Sequence, residues 1–182
     1  MYKIMLADDE GIVIDSLKFI IEKEFKDTCE VQYAKTGRSV IELAESFRPD
    51  VAVMDIQMPG INGIDAMKEI RRSNNHTVFI VMSAYDKFDY AKEAIKLGVM
   101  EYITKPMEKT RIIAALQKAM ERIDAERLKR KNELLIKEKL ETVVLIIESG
   151  LIHNILLQEH FREDIENYRS ILGITLQYAC MI

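Results

Sequence analysis

Cysteine is nearly absent: Cys29 and Cys180 are the only two, far apart and outside any metal-ligand spacing. That excludes a disulfide framework and a thiolate zinc site, and it fits a reduced intracellular compartment. Glycine and proline are scarce as well, at 7 and 3 of 182 residues, so collagen-like repeats and low-complexity disorder are excluded. No apolar run reaches the length of a bilayer span. The opening MYKIMLADDE breaks its apolar residues with charge, unlike a secretory signal. Net positive charge is also missing. The 26 Lys and Arg against 30 Asp and Glu give −4, the wrong sign for a chain that mainly grips phosphate backbones. A cytoplasmic protein is expected, with no membrane partner and with any DNA contact made elsewhere.

What is present is a globular composition, 48% hydrophobic and 31% charged, in a length that suits one ordinary domain plus an appendage. Up to residue 123, short apolar runs alternate with segments of helical period. The runs are KIMLA, VQYA, VAVMD, TVFIVMS and MEYIT; IVIDSLKFIIEKEF and GIDAMKEIRRS are two of the helical segments. Strands apolar on both faces belong in a parallel sheet covered by helices, joined by right-handed crossovers. The fold class is therefore α/β, a five-stranded parallel sheet in a doubly wound, flavodoxin-like sandwich with an extended C-terminal helical segment. Asp86 is placed to cap the helix over KFDYAKEAIKL, and Gly98 follows its last periodic residue.

In an open parallel sheet, ligands bind beyond the carboxyl ends of the strands. Those ends carry Asp8 and Asp9 after the first strand, Asp55 after the third, Ser83 after the fourth and Lys105 after the fifth. Two carboxylates about 4 Å apart repel by roughly 4 kcal/mol at an effective dielectric of about 20, so three together call for a cation. Oxygen ligands without His or Cys favour Mg²⁺ over zinc. A divalent ion, an ammonium and a hydroxyl around a carboxylate are the parts phosphoryl transfer needs, with Asp55 as acceptor.

These residues stand in motifs that resemble the receiver domain of two-component response regulators. The motifs are LADDE at Leu6 to Glu10, VMDIQMPGINGID at Val53 to Asp65, VMSAYD at Val81 to Asp86 and GVMEYITKP at Gly98 to Pro106. The resemblance covers about two-thirds of the chain. It implies that Asp55 accepts a phosphoryl group from a phosphohistidine on a sensor histidine kinase. It also implies that Mg²⁺ is held by Asp8, Asp9, Asp55 and the backbone carbonyl of Gln57, with Lys105 pairing with the phosphoryl oxygens. Ser83 and Tyr102 are then the switch residues, and Lys105–Pro106 is a cis bond that aims the lysine inward. Such a protein is a switch, not a turnover enzyme, with at most weak autophosphatase activity. Val99, Met100, Gln57 and Tyr85 depart from common receiver patterns or occupy variable positions, which bears on dephosphorylation rate.

Taken singly, each residue has an ordinary reading: Asp9 as a helix cap, Asp55 and Ser83 as turn formers, Lys105 as a solvated charge, Tyr102 as a partly buried aromatic. The ordered set outweighs these. Met54, Met58, Met82 and Met100 read as packing, because thioethers do not suit a hard cation, and His76, His153 and His160 read as surface residues. Two other function classes stay open. A Mg²⁺-dependent phosphatase of similar fold should carry a second Asp two positions after the nucleophile, where this chain has Gln57. A receiver-like dimerisation module would not need the intact acidic set.

Beyond residue 123 the character changes. Residues 1–123 read as the receiver, 124–150 as a charged linker helix that could pair across a homodimer, and 151–182 as the start of a truncated middle or effector segment. Leu128, Leu135, Leu140, Val143 and Ile147 form a loose stripe that Asn132 interrupts. The basic cluster at 127–131 is flanked by Glu126 and Glu133 and reads as a solvated face. Gly173 would stop a helix before ITLQYACMI, a strand with nothing after it to pair with, which points to a longer protein. The arrangement resembles AraC-type regulators, whose DNA-binding domain is absent from this chain; dimerisation through the receiver face or the linker helix is expected.

Overall fold

The computed structural model describes residues 1–84 and 88–157, with backbone only for 88, 89, 146–148 and 150–157. The expected Asp86 cap, Tyr85, and everything after residue 157, including His160, Gly173, Cys180 and the strand over 174–182, lie outside the described residues. So do the side chains of Ile147 and His153.

Among the described residues five strands alternate with five helices: β1 (Tyr2–Ala7), α1 (Gly11–Glu24), β2 (Cys29–Ala34), α2 (Gly37–Phe47), β3 (Val51–Asp55), α3 (Gly63–Ser73), β4 (Val78–Ser83), α4 (Phe88–Lys96), β5 (Glu101–Thr104) and α5 (Lys109–Leu157). The sheet is wholly parallel in the order β2-β1-β3-β4-β5. This is the expected doubly wound, flavodoxin-like fold. Every residue of β3 and β4 is buried, because central strands are covered on both faces. The edge strand β2 leaves Gln32 and Tyr33 exposed.

Side chains alternate across a strand, so the sheet sorts its apolar residues into two cores. Ile4, Leu6, Val51, Val53, Ile80 and Met82 face α1 and the first turns of α5, meeting Ile14, Leu17, Ile21, Ile112, Leu116 and Met120. Met5, Ala7, Ala52, Met54, Phe79 and Val81 face the other way, against Val40, Ala44, Ile64, Met67, Ile70 and Ala94. The four methionines read as packing follow that reading: Met54, Met58 and Met82 are buried and Met100 packs on the first core.

Local signals set the helix ends. Thr36 and Ser39 form a capping box at α2, and Asn62 accepts from the Asp65 N–H at α3. At α1 the capping position falls to Glu10, with no side-chain cap bond, so Asp9 is not spent on a cap. Gly98 takes φ +70 just after α4, a backbone conformation glycine reaches without steric cost.

Met1–Ala125 form one compact unit, and residues from Glu126 onward belong to a second. Within the second, Leu128, Leu135, Leu140 and Val143 of the stripe are all exposed. Among the described residues no helix is long and apolar enough to cross a membrane.

Candidate functional site

The order β2-β1-β3 means the chain reverses direction of winding between β1 and β3, and a crevice opens beyond the carboxyl ends of those neighbours. Asp8 follows the last residue of β1 and Asp55 is the last of β3. Backbone bonds extend the ladder past the strand ends and stiffen this rim: Asp8 N–H donates to Ala34 O at 3.3 Å, Ile56 N–H to Met82 O at 3.3 Å, and Lys105 N–H to Ser83 O at 2.8 Å.

The two buried carboxylates are held alike. Asp8 accepts the Glu10 N–H on Oδ1 at 3.0 Å and the Lys105 ammonium on Oδ2 at 2.8 Å; Asp55 accepts the Gln57 N–H on Oδ1 at 3.3 Å and the same ammonium on Oδ2 at 2.9 Å. Lys105 bridges them with its side chain only 13% exposed, so it is no solvated surface charge. Its peptide bond to Pro106 is cis, as expected. Glu10 Oε1 stands 3.8 Å from the ammonium, a neighbour the sequence patterns did not single out.

Burial pushes the Asp8 carboxyl above the usual carboxylate range, and the nearby Asp55 charge adds to this, against the opposing pull of Lys105 and the Glu10 N–H. Burial acts to lower the Lys105 ammonium, but its bonds and charge pairing with Asp8 and Asp55 outweigh that and raise it. The shared ammonium therefore stays charged, and a further cation beside Asp8 would offset the cost of its burial.

Asp9 is exposed and completes the group: carboxylate oxygens of Asp8, Asp9 and Asp55 all lie within 4.8 Å of one another. A donor set of three carboxylates without nitrogen or sulfur fits a hard divalent cation such as Mg²⁺. Gln57, whose carbonyl is the expected fourth ligand, has its N–H turned to Asp55 and its side chain in solvent.

Ser83 closes the fourth apolar run, TVFIVMS. It is the last residue of β4, 1% exposed, because the fourth run continues its ladder with β5 as far as the Ser83–Thr104 pair. Tyr102 pairs with Val81 in the register and is half-buried against the second core. His76 is exposed, remote from these groups at the opposite end of β4.

Gly63 is a further determinant that pattern reading passed over. A Cβ on it would lie 2.0 Å from the Asp55 carbonyl oxygen, and its N–H donates to Ile56 O at 2.8 Å. The first turn of α3 thus presses on the backbone of Asp55. Only the glycine itself was visible in the sequence; the carbonyl it must clear is a property of the fold.

A family model described as the response regulator receiver domain matches residues 4–117. Among curated proteins the chain is 33% identical over 143 residues to the uncharacterized transcriptional regulatory protein YesN of Bacillus subtilis, covering 79% of this chain and 39% of that protein. It is 36% identical over 116 residues to the chemotaxis protein CheY of Thermotoga maritima, covering 64% of this chain and 95% of that one. Among solved structures, the REC domain of AraT, a response regulator from Geobacillus stearothermophilus, is similar at TM-score 0.64 and 35% identity, covering 69% of this chain and 98% of that one. The chain therefore spans well under half the length of YesN.

Proposed function

The chain belongs to the response regulator receiver family, and from that premise we propose that Asp55 accepts a phosphoryl group from a phosphohistidine on a sensor histidine kinase. The observation that carries the proposal is the single ammonium of Lys105 bridging Asp8 and Asp55 beside Asp9. In the transfer, a carboxylate oxygen of Asp55 forms a bond to phosphorus as the bond from phosphorus to the donor nitrogen breaks. The nitrogen leaves with the electron pair and takes a proton from solvent. Lys105 meets the negative phosphoryl oxygens from the Asp55 Oδ2 side, and the Ser83 hydroxyl, one residue past the β4 partner of Asp55, supplies a hydrogen bond to the product. Asp8, Asp9, Asp55 and the Gln57 carbonyl would hold Mg²⁺, which when bound neutralises charge on the phosphoryl oxygens.

The product acts as a switch. A phosphoryl group brings about −1.5 to −2 charge and three acceptor oxygens, which reward reorientation of Ser83 and, behind it, of Tyr102 on β5. Residues 1–123 form the phosphoacceptor unit in this reading, 124–150 the linker helix and 151–182 the start of a further segment. The similarity to YesN, named a transcriptional regulatory protein, supports a transcriptional output; an AraC-type DNA-binding domain outside this chain is the output assigned in this reading. A homodimer through the receiver face or the linker helix, and a cytoplasmic setting, complete the proposal. Gln57 offers no second carboxylic acid to protonate a leaving group, so accumulation of the acyl phosphate, with at most weak autophosphatase activity, is favoured over phosphoester turnover.

The test is intact-protein mass spectrometry after incubation with Mg²⁺ and a small phosphoramidate donor. Wild type is expected to gain one phosphoryl group and Asp55→Asn none; labelling of Asp55→Asn would overturn the assignment.

A further inference from the structure

The rim carries a second ammonium that the acceptor chemistry described above does not use. Lys35 follows the last residue of β2, next to β1 in the sheet, and the Asp8 N–H to Ala34 O bond at 3.3 Å ties that strand end directly to the site. The capping box at Thr36 fixes the chain on the other side of Lys35. Its Nζ reaches back over the start of α1, 3.4 Å from where a Cβ on Gly11 would stand, with Gly11 two residues after Asp9. Among the described residues Lys35 makes no hydrogen bond or ion pair. Its place, over the positive end of a helix and without a carboxylate partner, gives it no evident part in holding the fold.

Charge at the rim gives it one. Among the described residues, Asp8, Asp9, Asp55 and Glu10 set four carboxylates against the ammonium of Lys105, an excess of three negative charges. A divalent cation removes two of the three. A phosphodonor arrives with negative charge of its own and still meets repulsion. Adjacent parallel strands lie about 4.8 Å apart, and β2 stands two strands from β3, so Lys35 is on the order of 10 Å from Asp55, close to the Debye length at physiological salt. Its charge cancels the remaining excess.

We propose that Lys35 is an electrostatic guide for the phosphodonor, a positioning residue that raises the rate at which anionic phosphoryl groups reach Asp55 without touching the reacting atoms. The proposal rests on Asp55 being the acceptor. Coulomb interaction of one charge with a dianion across about 10 Å of screened water gives an effect of about 1.5-fold for Lys35→Gln and about twofold for Lys35→Glu at physiological salt.

The experiment measures the second-order rate constant for phosphorylation of the full chain by acetyl phosphate, a dianion at neutral pH, at saturating Mg²⁺, across ionic strength, for wild type, Lys35→Arg, Lys35→Gln and Lys35→Glu. The expected result is that Lys35→Arg matches wild type and the neutral and acidic variants are slower in that order. Their deficit should lie in the apparent KM and close as salt is raised. A structural perturbation would leave a gap that salt does not close. Equal rates at every ionic strength, or a deficit that persists at high salt, would overturn the role of Lys35. Asp55→Asn, run beside them, separates the two ideas: if it is still labelled, the acceptor assignment fails whatever Lys35 does.

Discussion

At the amino end of the strands, Arg71 at the close of α3 donates to four backbone carbonyls: Asn75 and Thr77 at 2.8 Å, Leu97 at 3.2 Å and Gly98 at 3.5 Å. Its guanidinium also stacks on Phe79 at 4.6 Å. At the carboxyl end, Lys105 donates to two carboxylates, one of them fully buried. Both cations are well partnered, but the partners differ in kind. Carbonyls neither titrate nor react, so the Arg71 fork does not depend on the protonation of its partners, and it binds the end of α3 to the turns before β4 and β5. Carboxylates repel each other, take up protons and attract cations, so the Lys105 cluster is held together against its own charge. One end of the sheet is arranged for stability, the other for change.

The strongest way to break that contrast is to disturb the backbone of the reactive end. A methyl group at Gly63 would overlap the Asp55 carbonyl, and both the oxygen and the neighbouring Ile56 Cα are main-chain atoms that cannot swing away. Gly63→Ala is expected to cost about 3 kcal/mol of stability and to slow phosphoryl acceptance, read by urea unfolding and by the mass-spectrometric assay. Gly11→Ala is the control: its Cβ meets only the flexible end of Lys35 at 3.4 Å, and its unfolding midpoint should hardly move.

Next in size comes the stable end. Arg71→Ala removes charge-assisted bonds to several carbonyls and the contact with Phe79, for an expected loss of about 2 kcal/mol. Mg²⁺ affinity and labelling of the variant, measured under conditions where it stays folded, should be those of wild type. Weak Mg²⁺ binding in folded Arg71→Ala would show that the two ends are not separable.

How much of this was legible in the sequence follows the same division. The strand-helix alternation exposed the fold, because a parallel sheet writes its burial into consecutive apolar residues, and the ends of those runs marked Asp8, Asp9, Asp55, Ser83 and Lys105. Arg71 left no such mark: its acceptors are main-chain carbonyls, which any residue supplies, and they converge only once α3 and α4 are packed. Ser83 already closed the run TVFIVMS; what the sequence left out was its pairing with Thr104, since register joins one strand to another. Glu10 beside Lys105 was likewise a product of the turn into α1, which no spacing rule anticipates.

The finest test concerns the charge stored at Asp8. Its carboxyl is raised by burial above the ordinary value of 3.8, so the folded protein binds that proton more tightly than the unfolded chain does. Stability from this source is fully present below the unfolded value and is lost as pH rises through the folded one. Without metal, wild type should therefore lose stability from this group between pH 3.8 and its raised folded value, and Asp8→Asn, which has no proton to lose, should lack that component. At neutral pH without metal the variant is expected to be the more stable of the two. Added Mg²⁺ reverses the order. An ion that binds the folded state alone stabilises it by mass action, and it does so for wild type, whose three carboxylates are intact, far more than for Asp8→Asn. Thermal melting across pH, with and without Mg²⁺, reads both signs at once. If Asp8→Asn were less stable than wild type at neutral pH without metal, the bond from Lys105 would outweigh burial, and the carboxyl end would be as settled as the end that Arg71 holds.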